Sequence, residues 1–69
     1  MGVTVNTQRL NEILFRKGLS RRAFAKKAGI GLVTATQVCN GNRRPSAPVA
    51  KKIVDALDAD FDELFQIIS

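Results

Sequence analysis

The sequence predicts an all-α fold, a compact bundle of five short helices, and three observations carry that expectation. Apolar residues recur three and four apart through most of the chain. No stretch alternates with a period of two for long enough to make a strand. Residues that start or stop helices (Asn, Ser, Asp, Gly) punctuate the chain at short intervals.

Asn6 is placed to cap the first helix, with Val5 and Leu10 flanking it as a hydrophobic staple. Leu10, Ile13 and Leu14 share one face, and Glu12 precedes Arg16 in the order that favours an ion pair one turn apart. Gly18 is expected to end this helix in the left-handed conformation, folding Leu19 back onto it. Ser20 caps the second helix, where Leu19 and Phe24 form another staple. Phe24, Ala25 and Ala28 make its buried face, and Arg21, Arg22, Lys26 and Lys27 stay outside. Gly29 stops it. Gly31 caps a third helix from Leu32 to about Cys39, closed by Asn40 and Gly41. Asn42 to Pro45 form a loop carrying Arg43 and Arg44. Ser46 caps a fourth helix, whose first turn accommodates Pro48 because amides there are unpaired in any case. Val49, Ala50, Ile53, Val54 and Leu57 supply its apolar stripe. Asp60 and Glu63 read as a capping box opening a fifth helix, from Phe61 to about Ile68.

A chain of 69 residues has room for one domain, here spanning 1–69. Its 45% hydrophobic and 25% charged residues are the balance of a folded domain rather than a disordered tail. So short a chain buries only about 60% of its unfolded surface, and such chains commonly lean on disulfides, metals or oligomerisation. Cys39 is the lone cysteine and histidine is absent, so no internal disulfide, Cys/His metal site or cofactor is expected. A reducing cytoplasm is the natural compartment. That leaves oligomerisation. Phe65, Ile67 and Ile68 exceed what a capped final helix needs and are candidates for a homodimer surface, with local core packing as the alternative. No apolar run approaches the roughly 18 residues of a membrane span. The start Met1 to Asn6 has asparagine at the sixth position, where a myristoylation signal wants Ser or Thr. A soluble protein is expected.

The net charge of +5 is unevenly spread. All 11 Lys and Arg lie at or before Lys52, with Glu12 the only acid among them, and the remaining acids all follow from Asp55 onward. A basic body with an acidic end points to a polyanion met by one side, against the blander reading of charge for solubility. Catalysis has little to work with. There is no histidine, no usable cysteine and no phosphate-cradling glycine loop, and the late acids sit at helix starts where capping explains them. An enzyme is not expected. A basic helix lying on a membrane is disfavoured as well, because the basic positions lack an aromatic-rich opposite face.

The most informative element runs from about Arg21 to Asn40, two helices separated only by Gly29, Ile30 and Gly31. So short a turn needs a small residue at the helix crossing and an unhindered backbone at the corner, which Ala25 and Gly29 supply. Ile30, Ala35 and Val38 are expected to point inward. Leu32, Val33, Thr36, Gln37 and Asn40 then face outward, and none of them is charged. Reading base edges takes amides, hydroxyls and apolar groups that touch thymine methyls. The Gln37 amide can pair bidentately with adenine, whereas Leu32 and Val33 offer apolar contact alone. The loop arginines Arg43 and Arg44 suit phosphate, which carries no sequence information. The bland alternatives are a rotated third helix that buries Leu32 and Val33, a merely solvated Gln37, and Asn40 as a simple terminator. Cys39 reads as a small buried hydrophobe rather than a redox sensor.

The run Leu19-Ser20-Arg21-Arg22-Ala23-Phe24-Ala25-Lys26-Lys27-Ala28-Gly29-Ile30, followed by Val38-Cys39-Asn40-Gly41, resembles a known family. It is that of the phage-repressor and Cro type of helix-turn-helix domain, also called Xre-like or lambda-repressor-like. The resemblance extends from about Asn6 to Phe65 and includes Asp60 to Phe65, where the family opens its last helix. It implies a DNA-binding transcriptional repressor of five helices, acting as a dimer on a palindromic operator with the third helix in the major groove. Arg21 falls where the family braces phosphate or neighbouring bases, with Arg22 beside it on the backbone side. Leu32, Val33 and Gln37 fall where bases are read, and Thr36 shares their face. Asn40, Arg43 and Arg44 fall where the backbone is gripped. The sequence departs from the family at Ala35, usually a larger aliphatic, and at Gly31, usually Ser or Thr. Leu32 and Val33 replace residues that are often polar, which shifts the expected readout toward methyl contacts. The alternative function is an antitoxin of this fold that binds a toxin and autoregulates its operon; an anti-repressor protein is a further partner of that kind.

Overall fold

In a computed structural model, which describes residues 2–68, the chain runs β1 (Gly2–Val5), α1 (Thr7–Arg16), α2 (Arg21–Ala28), α3 (Leu32–Asn40), α4 (Ala47–Leu57), α5 (Phe61–Leu64) and β2 (Phe65–Ile68). Three helix starts are closed by side chains where the sequence places caps. Asn6 Oδ1 accepts from the Arg9 N–H at 3.1 Å, Ser20 Oγ from Ala23 at 3.0 Å and Ser46 Oγ from Val49 at 3.4 Å. Gly31 starts α3 with no side-chain bond at all.

The first four helices end alike. Gly18, Gly29, Gly41 and Asp58 all have left-handed backbone, and the next residue's N–H bonds back into the last turn. Leu19 donates to the Leu14 carbonyl at 2.9 Å, Ile30 to Ala25 at 3.0 Å, Asn42 to Gln37 at 2.9 Å and Ala59 to Val54 at 3.1 Å. These reversals keep the links short and turn successive helices around one core. Leu10, Phe24, Val38, Ile53, Leu57 and Leu64 are fully buried there, so each helix contributes at least one such side chain. Each is worth about 1.5–3 kcal/mol of transfer free energy. None of the helices is long and apolar enough to cross a membrane.

The all-α expectation needs a correction at the two ends of the chain. β1 pairs antiparallel with β2, Val3 opposite Ile67 and Val5 opposite Phe65, and the Asn6 N–H extends the ribbon to the Leu64 carbonyl at 2.7 Å. The fifth helix therefore stops at Leu64 rather than running to Ile68. A four-residue helix has little stability of its own, while strand pairing gives backbone partners to the β-branched residues of both segments. Phe65 turns into the core at 4% exposure, its ring 5.3 Å from that of Phe61. Its side chain is thereby removed from any dimer surface. The capping box is also absent. Asp60 makes no side-chain cap, and Glu63 instead accepts from Arg9 Nε at 3.0 Å and Nη2 at 2.9 Å. Two charge-assisted contacts from one guanidinium, with opposite formal charges facing each other, outweigh a single carboxylate-to-amide cap. They tie α1 to α5.

Among the described residues Asp58 is the one non-glycine with positive φ, at 52°, and it places a carboxylate at a helix C-terminus. Both features cost energy. Replacement by glycine is expected to stabilise the fold by roughly 0.5–1 kcal/mol, read as a higher urea midpoint with unchanged slope. An unchanged or lower midpoint would show that the strain is illusory.

Candidate nucleic-acid interface

α2 and α3 meet across small residues. Ala25 and Ala28 on one and Ala35 on the other are buried, with Phe24, Val38 and Cys39 completing the buried faces. Side chains lock the pair further. Arg21 Nη2 donates to Asn40 Oδ1 at 3.0 Å, joining the start of α2 to the end of α3. Asn11 Nδ2 donates to the Cys39 carbonyl at 3.0 Å and to the Thr7 carbonyl at 2.9 Å. It thus satisfies one of the carbonyls that the end of α3 would otherwise leave open. The sequence reading did not pick out Asn11 or the ion-paired Arg9, since neither belongs to a periodic pattern that marks a long-range partner.

With Ala35, Val38 and Cys39 inside, the opposite face of α3 meets solvent. Val33 is 69% exposed and Leu32 41%, Asn40 is exposed, and Thr36 and Gln37 are half-buried along the same helix. A rotated α3 with Leu32 and Val33 in the core is ruled out. Large exposed apolar side chains on a helix in so polar a setting mark a surface shaped for contact.

The loop after α3 does not stand apart from this face. Arg43 Nη1 donates to Gln37 Oε1 at 3.2 Å, so the expected reader and the expected phosphate clamp touch each other. Arg22 and Arg44 are exposed. Among the described residues the ion pairs engage Arg9, Arg16 and Lys51, and no carboxylate pairs with Arg21, Arg22, Lys26, Lys27, Arg43 or Arg44. The positive charge of α2 and of the loop is left uncompensated, as attraction to a polyanion requires. No group of three or more metal-ligating side chains is assembled among the described residues.

Of the three residues proposed for a dimer surface, Ile67 is 59% exposed and Ile68 half-buried, while Phe65 is internal. Ile67 and Ile68 border an apolar groove of about 720 Å³ that Val3, Val49 and Phe61 also line, with Arg43 and Arg44 at its rim. Phe15 on α1 is the most exposed large apolar side chain, at 87%, and the sequence reading passed over it.

Comparison with known proteins agrees with this geometry. A family model described as helix-turn-helix matches residues 11–64. Two curated proteins of Bacillus subtilis (strain 168) are similar to the chain. One is the uncharacterized HTH-type transcriptional regulator YqaF, 40% identical over 50 residues, covering 72% of this chain and 66% of that protein, just under two thirds. The other is the uncharacterized HTH-type transcriptional regulator YazB, 38% identical over 48 residues and covering 70% of each. Among solved structures, the restriction-modification controller protein C.AhdI from Aeromonas hydrophila superposes with a TM-score of 0.76 at 33% identity. The match covers 83% of this chain and 86% of that one.

Burial pushes the Cys39 thiol up, with the nearby Arg21 guanidinium pulling the other way. A buried, protonated thiol reacts only when the fold opens. At pH 8 the native protein is expected to modify with a disulfide reagent at least about tenfold slower than the urea-unfolded chain. Equal rates would place the thiol at the surface and the α2–α3 contact in error.

Proposed function

The chain belongs to the Cro/Xre type of the helix-turn-helix family, and on that premise we propose that it is a sequence-specific DNA-binding transcription regulator that lays α3 in the major groove. The observation that supports this most is the solvent face of α3, uncharged and half apolar, flanked by guanidinium groups that no carboxylate among the described residues neutralises. An α-helix fits the major groove, and the residues on that face match what base edges ask for. Leu32 and Val33 contact thymine methyls, and Thr36 and Gln37 hydrogen-bond base edges. Arg21, Arg22, Asn40 and Arg44 hold phosphates and fix the register. Arg21 and Asn40 do so as a bonded pair, so each presents the other at a set distance.

The protein acts as a homodimer on a palindromic operator, with half-sites one helical turn (about 34–36 Å) apart. Ile67 and Ile68, at the groove beside β2, supply the apolar contact between copies, and Phe65 serves only by anchoring the strand that carries them. Occupying the operator represses transcription. Selection of bound sequences from a random DNA pool tests the reading. A palindrome with a fixed half-site spacing is expected, and failure to enrich any sequence would overturn it.

Two quantitative outcomes follow from the charge. With about five to eight phosphate contacts per dimer, log K should fall against log salt with a slope of roughly −5 to −7. Arg44→Ala should weaken specific and random DNA about equally and make the slope of the dimer shallower by about two units, one for each copy. Titrations of both DNAs across a range of salt read both values. A slope near zero would remove DNA as the partner.

A further inference from the structure

We propose that Arg43 is a specificity-determining residue, acting with Gln37 as one reading unit that offers only donors and so selects guanine. The proposal rests on the major-groove reading of α3. Arginine has five N–H donors and no acceptor, so only the oxygen of the Gln37 amide can face Arg43. The 3.2 Å bond therefore fixes which way the amide points, with Oε1 toward Arg43 and the two N–H groups of Nε2 turned away from it.

The backbone holds this arrangement in place. Gly41 ends α3 with φ +76°, and the position its Cβ would take lies 3.1 Å from Thr7 Cγ2, so a side chain there would be both strained and crowded. The Asn42 N–H donates to the carbonyl of Gln37 itself at 2.9 Å. At the far end of the loop Pro45 is buried. Gln37 is thus bound to the loop through both its backbone and its side chain, and the exposed Arg43 side chain is held against the outward face of α3. Among the described residues no carboxylate pairs with the guanidinium.

Adenine presents one acceptor and one donor in the major groove, and a glutamine that reads both edges must turn Oε1 as well as Nε2 toward the base. Here one lone pair of Oε1 is taken by Arg43 and the oxygen is directed at that side chain, which disfavours the two-edged geometry that adenine needs. Guanine presents two acceptors, N7 and O6, which suit the free N–H groups of Gln37 and Arg43 together. Arg43 is therefore a reader, and only Arg44 of the two loop arginines remains a phosphate contact.

The test compares sequences selected by the wild-type chain, Arg43→Ala, Arg43→Lys, Gln37→Ala and the double alanine variant, with circular dichroism confirming that each is folded. The wild type should enrich a G·C pair at one position of each half-site. Both alanine variants should lose that same preference, with the ratio of specific to non-specific affinity falling roughly tenfold. The double variant should lose little more than the worse single one, because the two act as a unit. Arg43→Lys should keep the salt slope and retain the guanine preference only in part, since its ammonium donates to the same acceptors without the planar fork. An unchanged motif in Arg43→Ala, or adenine at the position that Gln37→Ala relaxes, would overturn the inference while leaving the major-groove reading intact. No enriched sequence with the wild type would overturn both.

Discussion

A helix can present a defined face to a ligand only if its other face is held against something that does not yield. For α3 that support is α2, and the buried residues at hand are mostly small: Ala25 and Ala28 on α2, Ala35 on α3, with Phe24, Val38 and Cys39 around them. Small residues let backbones approach, and close-packed contacts resist rotation because each shift of a side chain meets another. The left-handed corner at Gly29 and the Arg21–Asn40 bond fix the two ends of the same contact. Everything proposed about recognition depends on this. A rotation of α3 by one residue, about 100°, would swing Ala35 or Val38 off the core and turn one flank of the present outward face inward, and the reading face would be lost.

Charge sorts into two jobs across the molecule. Two acids work on structure: Glu63 and Glu12 both accept from Arg9, so one arginine ties α1 to α5 at the surface. Arg9 lies between partners at about a third exposure, where a network is worth more than an isolated surface pair. The bases of α2 and of the loop after α3 have no such partners among the described residues. The uneven charge along the sequence is thus a division between a clamp that closes the fold and a surface left open for a polyanion.

Helix starts, stops and the buried stripe of each helix were legible because they depend on local chemistry. Asn6, Ser20 and Ser46 cap, Gly18, Gly29 and Gly41 reverse the chain, and Leu10, Phe24, Ala35 and Leu57 are inside. The β-ribbon was not legible. Val3-Thr4-Val5 and Phe65-Gln66-Ile67-Ile68 are each too short to display a period, and they become strands only by pairing with each other from opposite ends of the chain. The same long-range pairing sent Phe65 inward, and Arg9 took Glu63 away from its cap. At the interface, sequence spacing placed the outward residues of α3 but not the Gln37–Arg43 bond, which needs the loop's return path. Asp58 in a left-handed corner was hidden too, since nothing but glycine or asparagine signals that conformation reliably.

Amide and side-chain shifts of an isotope-labelled sample, followed by nuclear magnetic resonance as a selected DNA duplex is added, test most directly whether α3 is the reading element. The largest changes should fall on Leu32 to Asn40, on the Gln37 side-chain amide and on the Arg43 guanidinium. The β-ribbon should respond less. Largest changes around Phe15 on α1 or on the acidic stretch from Asp58 to Glu63, with α3 unmoved, would contradict it.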